Sequence, residues 1–165
     1  MLGFEVKTKG FDQQIQNLKG YNQVAIQENR KAMNQAVKLV ERVGKINAPV
    51  NFGVLRAKIH GEVRQAGPGM VIGVIGSYAE HGAPVEKGSD PHWPNIPSLA
   101  LWVQRKLRVA RKDVQNVTFL VARAISRRGT KAQPYLEPAF EDSQDEIKGF
   151  FQQALENIVK RLSSR

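Results

Sequence analysis

Between Asn22 and Ile46, small and apolar side chains recur at spacings of three and four: Ala25, Ala32, Ala36, Leu39, Val43 and Ile46, with Asn29 the polar residue on that stripe. Met33, Val37 and Val40 widen the same face. A helix over these 25 residues runs about 38 Å, the diameter of a small domain, so every other element has to be arranged around it. Its alanines let a neighbour approach closely. Pro49 ends it, because proline offers no N–H to the ladder and its ring crowds the preceding turn.

The remaining chain supplies short strands and further helices. Phe4, Val6 and Thr8 alternate with Glu5 and Lys7 as a strand does, and Gly10 breaks the pattern. Asp12 is placed to N-cap a short helical stretch through Ile15 and Leu18, which Gly20 ends or bends. Leu55–Gln65, with Ile59 and Val63, and Met70–Ser77, with Val71, Ile72, Val74 and Ile75, predict a β-hairpin turned by Ala66-Gly67-Pro68-Gly69. Gly73 and Gly76 either weaken the second strand or mark a close backbone approach.

Residues 84–97 hold four of the eight prolines and read as a stiff, extended loop carrying Trp93, which needs a docking place on the domain or on a partner. Ser98–Leu107 and Asp113–Arg128 read as two helices. Leu99, Trp102, Val103 and Lys106 share one side of the first; Val114, Val117, Val121, Ala124 and Ile125 face inward from the second, with Gly129 just past its end. Glu137-Pro138 opens a last long helix with Pro138 at its first position and with Phe140, Ile147, Phe150, Phe151, Ala154, Leu155, Ile158 and Leu162 on its core face. The expected fold is α+β: a small antiparallel sheet packed against long N-terminal and C-terminal helices. It forms a single domain over 1–165, with a basic helical hairpin inserted at about 98–129.

Charge is unevenly placed. The net charge is +10 over 165 residues. Residues 105–131 carry nine basic side chains against Asp113, a balance of +8, whereas residues 137–146 carry five acids and no base. Such neighbouring blocks suit a polar partner surface, or two solvated helix faces. Subunit or partner contacts are therefore expected at Trp93, Arg105, Arg108, Arg111, Arg123, Arg127 and Arg128, and at Glu137, Glu141, Asp142 and Asp145. The absence of cysteine excludes a disulfide scaffold, a thiol nucleophile and any Cys-ligated metal. The N-terminus turns polar within a few residues, and no stretch approaches the roughly 20 apolar residues of a membrane span, so a protein made and used in a cytoplasm, with no membrane partner, is expected.

Catalytic patterns are weak. Ser77, Glu80, His81, Glu86, Asp90 and His92 lie close in sequence, but His81 and His92 with a carboxylate match no compact ligand spacing. Ser77, His81 and Asp90 lack a nucleophile elbow. The plainer reading is loop polar groups bonding their own backbone. Gly67-Pro68-Gly69 is no phosphate loop, since no Gly-Lys-Ser/Thr follows. No enzyme class, metal or cofactor gains support. The basic helices at 105–131 offer a rival reading as a DNA-binding element, with Gln115, Asn116 and Thr118 near the start of the second helix, but the connection Arg108–Lys112 lacks the glycine turn of a helix-turn-helix.

Three stretches, in order, carry a resemblance. Ala48-Pro49-Val50-Asn51-Phe52-Gly53-Val54-Leu55-Arg56, running on to Ile59, is similar to an Ala-Pro-x-Asp-Thr-Gly-x-Leu-Arg-x-x-Ile opening. Tyr78-Ala79 followed by Val85-Glu86-Lys87-Gly88-Ser89 is similar to a Tyr-Ala…Val-Glu-Phe-Gly-Thr segment, and Ala132-Gln133-Pro134-Tyr135-Leu136-Glu137-Pro138-Ala139 to an Ala-x-Pro-Phe-Leu-x-Pro-Ala segment before a long helix. Together they resemble the neck, or tail-completion, proteins of long-tailed bacteriophages and prophages, over roughly residues 20–160. Asn51, Phe52, Lys87 and Ser89 depart from the pattern; its glycines and prolines are kept. The basic hairpin resembles an insertion found in part of the family. The resemblance implies a virion structural protein, not an enzyme and without cofactor, made in the bacterial host and placed at the head–tail junction. Implied partners are further copies in a ring of hexameric or dodecameric order, other neck and tail-terminator proteins, and non-specific contact with DNA in the channel.

Overall fold

The computed structural model describes residues 4–6, 22–50, 53–67 and 69–163. The sequence reading of Thr8 through Gly20, the motif positions Asn51 and Phe52, and Pro68 fall outside the described residues.

The long amphipathic stretch forms α1 (Asn22–Asn47), and most of the structure is built on it. Ala25, Ala32, Met33, Ala36, Val37, Leu39 and Val40 are buried, as their spacing requires. Ile46, expected on the stripe, is exposed instead, because the chain turns away at Ala48, whose N–H closes the last turn on the Gly44 carbonyl at 2.9 Å. One face of α1 covers a three-stranded antiparallel sheet of order β1-β3-β2, formed by β1 (Phe4–Val6), β2 (Ile59–Gly67) and β3 (Met70–Ser77). Ile59 pairs with Ser77, Val63 with Gly73 and Phe4 with Ile75, and a bulge lies between Gln65 and Gly67. The interleaved glycines mark a close approach of helix and sheet. A Cβ on Gly61 would stand 2.4 Å from a Val37 methyl, and one on Gly73 2.5 Å from the other Val37 methyl and 2.9 Å from the Met33 sulfur.

Several boundaries differ from expectation. The first of the two inserted helices starts at Ile96 rather than Ser98 and takes in Pro97, which the sequence reading placed in the extended loop. The first strand of the hairpin starts at Ile59, not Leu55, because Val54–Ala57 form a single helical turn, α2, behind Gly53. Pro84 lies within helix α3 (Gly82–Lys87) rather than in an extended loop; at the third position it replaces an N–H that has no partner in a first turn. The last helix is two: α6 (Leu136–Asp142) and α7 (Gln144–Ser163), broken at Ser143. The Ser143 hydroxyl donates to the Ala139 carbonyl at 2.7 Å, the back-bonding that competes with the ladder and bends helices. The core face nonetheless holds, since Ile147, Phe151, Ala154 and Ile158 are buried and α7 runs along α1.

Helices α4 (Ile96–Lys106) and α5 (Val114–Arg128) form the expected hairpin, joined through a short 3-10 turn at Arg111–Asp113. They pack chiefly on each other. The main core unites residues of α1, α2, β2, β3, α6 and α7 with Ala48, Ala79 and Tyr135, and includes none from the hairpin. Among the described residues, no helix is long and apolar enough to cross a membrane.

Candidate functional site

The hairpin leaves the body and returns to it at one point. The Ser89 N–H donates to the Thr130 carbonyl at 3.1 Å, the Thr130 N–H donates back to Ser89 at 3.0 Å, and the two hydroxyls lie 2.8 Å apart. Gly129 makes this clasp possible. Its φ is +69°, and a Cβ there would lie 1.8 Å from the Ser89 carbonyl oxygen.

Beside the clasp, Gln133 N–H donates to the Val85 carbonyl at 2.8 Å, which brings the returning strand onto α3. Glu86, 5% exposed, then reaches the start of α6. Its carboxylate accepts the backbone N–H of Tyr135 at 2.8 Å, of Leu136 at 3.0 Å and of Glu137 at 2.9 Å. A helix start leaves four backbone donors without intrahelical partners. Here Glu86 takes three of them and Pro138 has no donor at all, while the negative charge sits at the positive end of the helix dipole. Pro138 is therefore third in its helix, not first as expected.

Glu86 acts far along the chain, and so does Ser77, whose hydroxyl hydrogen-bonds the buried Tyr135 side chain. The sequence signal for Glu86 was the helix start itself: Tyr135 supplies no side-chain cap, so the donors needed an acceptor from elsewhere. Tyr135 is fully buried, and its hydroxyl donates to the Gly82 carbonyl at 3.4 Å. Burial pushes its phenol pKa up, with Ser77 opposing.

Ser77, Asp90 and His92 also make local loop contacts. The Ser77 hydroxyl oxygen accepts the Ala79 N–H at 3.1 Å, and His92 Nδ1 lies 2.9 Å from the Asp90 carbonyl and 3.4 Å from the Ser89 hydroxyl. No hydrogen bond joins Ser77, His81 and Asp90, and among the described residues no group of three metal-ligating side chains is gathered. Two open grooves flank α1. One of about 570 Å³ is lined by Lys38, Glu41, Arg42, Lys45, Arg56 and His60. In it Glu41 is already bound to Lys45 and to the Gly61 N–H, so its carboxylate serves to tie α1 to β2.

The hairpin has a small interior of its own, made by Val103, Thr118 and Ala122. This moves the buried arc of α5 relative to the sequence reading, and Ala124, expected inside, is exposed. Asn95 caps α4 by accepting the Ser98 N–H at 3.0 Å. The connection, which lacks glycine, turns through Arg108 itself in the left-handed region at φ +52°. On α5, helical spacing places Asn116, Leu120, Arg123 and Arg127 on the side turned away from Thr118 and Ala122, with Phe119 at the edge of that side, and all five are exposed. Trp93 meets Phe119 edge-to-face, ring centroids 6.2 Å apart, yet each remains 55% exposed. Its place is therefore at the rim of the hairpin rather than in the domain core.

All the expected contact residues lie at the surface. Trp93, Arg105, Arg108, Arg111, Arg123, Arg127 and Arg128 belong to the hairpin; Glu137, Glu141, Asp142 and Asp145 lie on α6 and the first turn of α7. Among the described residues no ion pair joins Arg108, Arg111, Arg123, Arg127 or Arg128 to any acid, and Asp145 pairs with Lys148 at 2.8 Å instead. The basic and acidic blocks do not meet within one chain through these residues.

No family model matches this chain, and comparison with curated proteins and with solved structures finds no match.

Proposed function

We propose that the chain is a structural protein of a tailed-phage virion, joining or completing the tail at the head–tail junction as one subunit of a ring-shaped neck assembly. The observation that carries this reading is the convergence of the three motif stretches on one joint. Ala48 and Leu55 of the first, Ala79 and Val85 of the second, and Tyr135, Leu136 and Ala139 of the third belong to or pack on one core, and Glu86 binds the second to the third. These motif residues pack the core, and Glu86 caps a helix, as a subunit that must hold its shape under assembly requires. The role is scaffolding rather than catalysis, with other neck and tail-terminator proteins as further partners. Electron microscopy of the purified protein tests it: closed rings support the reading, and a protein that stays monomeric at high concentration overturns it.

A second reading, DNA contact by the basic helices at 105–131, is favoured by the exposed cations of α5. Phe119 and Leu120 among them weigh towards a protein partner, because contact with phosphates makes no use of large apolar side chains. Salt-dependent retardation of a duplex separates the two.

A further inference from the structure

The outer face of α5 combines Phe119 and Leu120, 55% and 60% exposed, with Arg123 and Arg127, and Trp93 extends it through its contact with Phe119. Exposed apolar side chains interleaved with arginine have the composition of an interface centre. The chain also carries the complementary surface. Glu137, Glu141, Asp142 and Glu146 project from α6 and the start of α7, and among the described residues none of them is ion-paired. Among the described residues, Arg123 and Arg127 of the one surface and these four acids of the other form no ion pair with each other, so the two surfaces are complementary in charge.

We propose that the outer face of α5, with Trp93, docks on the acidic α6–α7 corner of a second copy of this chain. The two surfaces differ, so the contact is heterologous and propagates head to tail. The apolar residues supply most of the affinity, while the charges set register and encounter rate. The hairpin suits this use because it is clasped to the body at Ser89 and Thr130 and, among the described residues, contributes nothing to the main core. The inference rests on the assembly proposed above and names the surfaces through which its copies meet.

A charge exchange tests it. One variant carries Arg123→Glu and Arg127→Glu; the other carries Glu141→Lys and Asp142→Lys. All four positions are exposed, and circular dichroism checks that each variant folds. Sedimentation of the wild type at low salt is expected to show self-association. Each variant alone is expected to associate about tenfold more weakly or worse, through like-charge contact. Their equimolar mixture is expected to recover assembly, because each hairpin then finds a corner of opposite charge. Phe119→Ser is expected to weaken assembly at low and at high salt alike.

Variants that associate like the wild type, or a mixture that does not recover, overturn the docking surfaces. Rings that persist in both variants leave the ring reading standing without this contact. Open chains that obey the charge exchange keep the contact and remove the ring. A wild type that stays monomeric, yet binds duplex DNA through Arg123 and Arg127, overturns the proposal in favour of nucleic acid.

Discussion

Glu86 and Leu136, fifty positions apart, are joined by both oxygens of one carboxylate, at 3.2 and 3.0 Å from a single backbone N–H. This buried cap orients α6 on α1 and holds closed the base from which the hairpin leaves. Glu28 ties α1 to α7 through Asn157, and Glu41 ties α1 to β2 through the Gly61 N–H. Each carboxylate satisfies donors or cations carried by another part of the fold.

Glu86→Ala leaves the Tyr135 and Leu136 donors buried and unpaired. The expected loss is about 3 kcal/mol or more, read as a fall in the urea midpoint with an unchanged slope. Glu86→Gln retains an acceptor but turns an amide towards the remaining donors, so an intermediate loss is expected. A midpoint that stays at the wild-type value in Glu86→Ala refutes the cap.

Replacing residues 90–129 by a two-residue Asn-Gly turn joins Ser89 directly to Thr130, whose backbones already pair as neighbouring strands do. The body is expected to unfold cooperatively and to keep its sheet and long helices by circular dichroism, because the main core takes nothing from the hairpin. Collapse to an unfolded chain rules out an independent insertion.

Gly53 caps α2 with φ +75°, and among the described residues a Cβ there meets nothing within 4 Å. The cost of substitution is thus backbone strain alone. Gly53→Val is expected to destabilise by about 1–3 kcal/mol, and Gly53→Asn by clearly less, since asparagine tolerates the left-handed region. Equal melting temperatures for the two variants contradict that account.

Glu28 is 4% exposed, and the hydrogen bond from Lys31 holds its carboxyl below the usual value of 4.5; burial opposes this, and Asn157 and Arg161 add to it. For Glu41 burial acts upward, yet Lys45 and the Gly61 N–H together outweigh it and leave the carboxyl lowered. A carboxyl lowered in the folded state contributes stability that is fully present above its unfolded pKa and is lost as pH falls through the folded one. Stability is therefore expected to be flat from neutrality down to pH about 5 and to fall below about 4.5. Glu28→Gln is expected to cost about 1 kcal/mol at neutral pH, since Lys31 and Arg161 remain solvated, and to make the acid limb shallower. An acid limb as steep as in the wild type removes Glu28 from the account.

Elements whose signal is local were legible in the residues themselves. The spacing from Ala25 to Val40 made α1, and the charge blocks gave the two surface patches; Gly73 allowed either a weakened strand or a close approach, and the structure shows the approach. What the sequence left open depended on atoms distant in the chain. Ser143 is the local exception: its hydroxyl bond to Ala139, four residues back, breaks the last helix, and the periodicity of the apolar stripe does not show it. Ala124 and Thr118 exchanged their expected sides because the facing helix, not the pattern of α5, set which arc is covered. Glu86 read as a loop polar residue, since nothing beside it shows that three unpaired donors wait fifty residues on. Local pattern fixes which backbone groups and side chains an element leaves unsatisfied; only tertiary packing decides which distant group satisfies them.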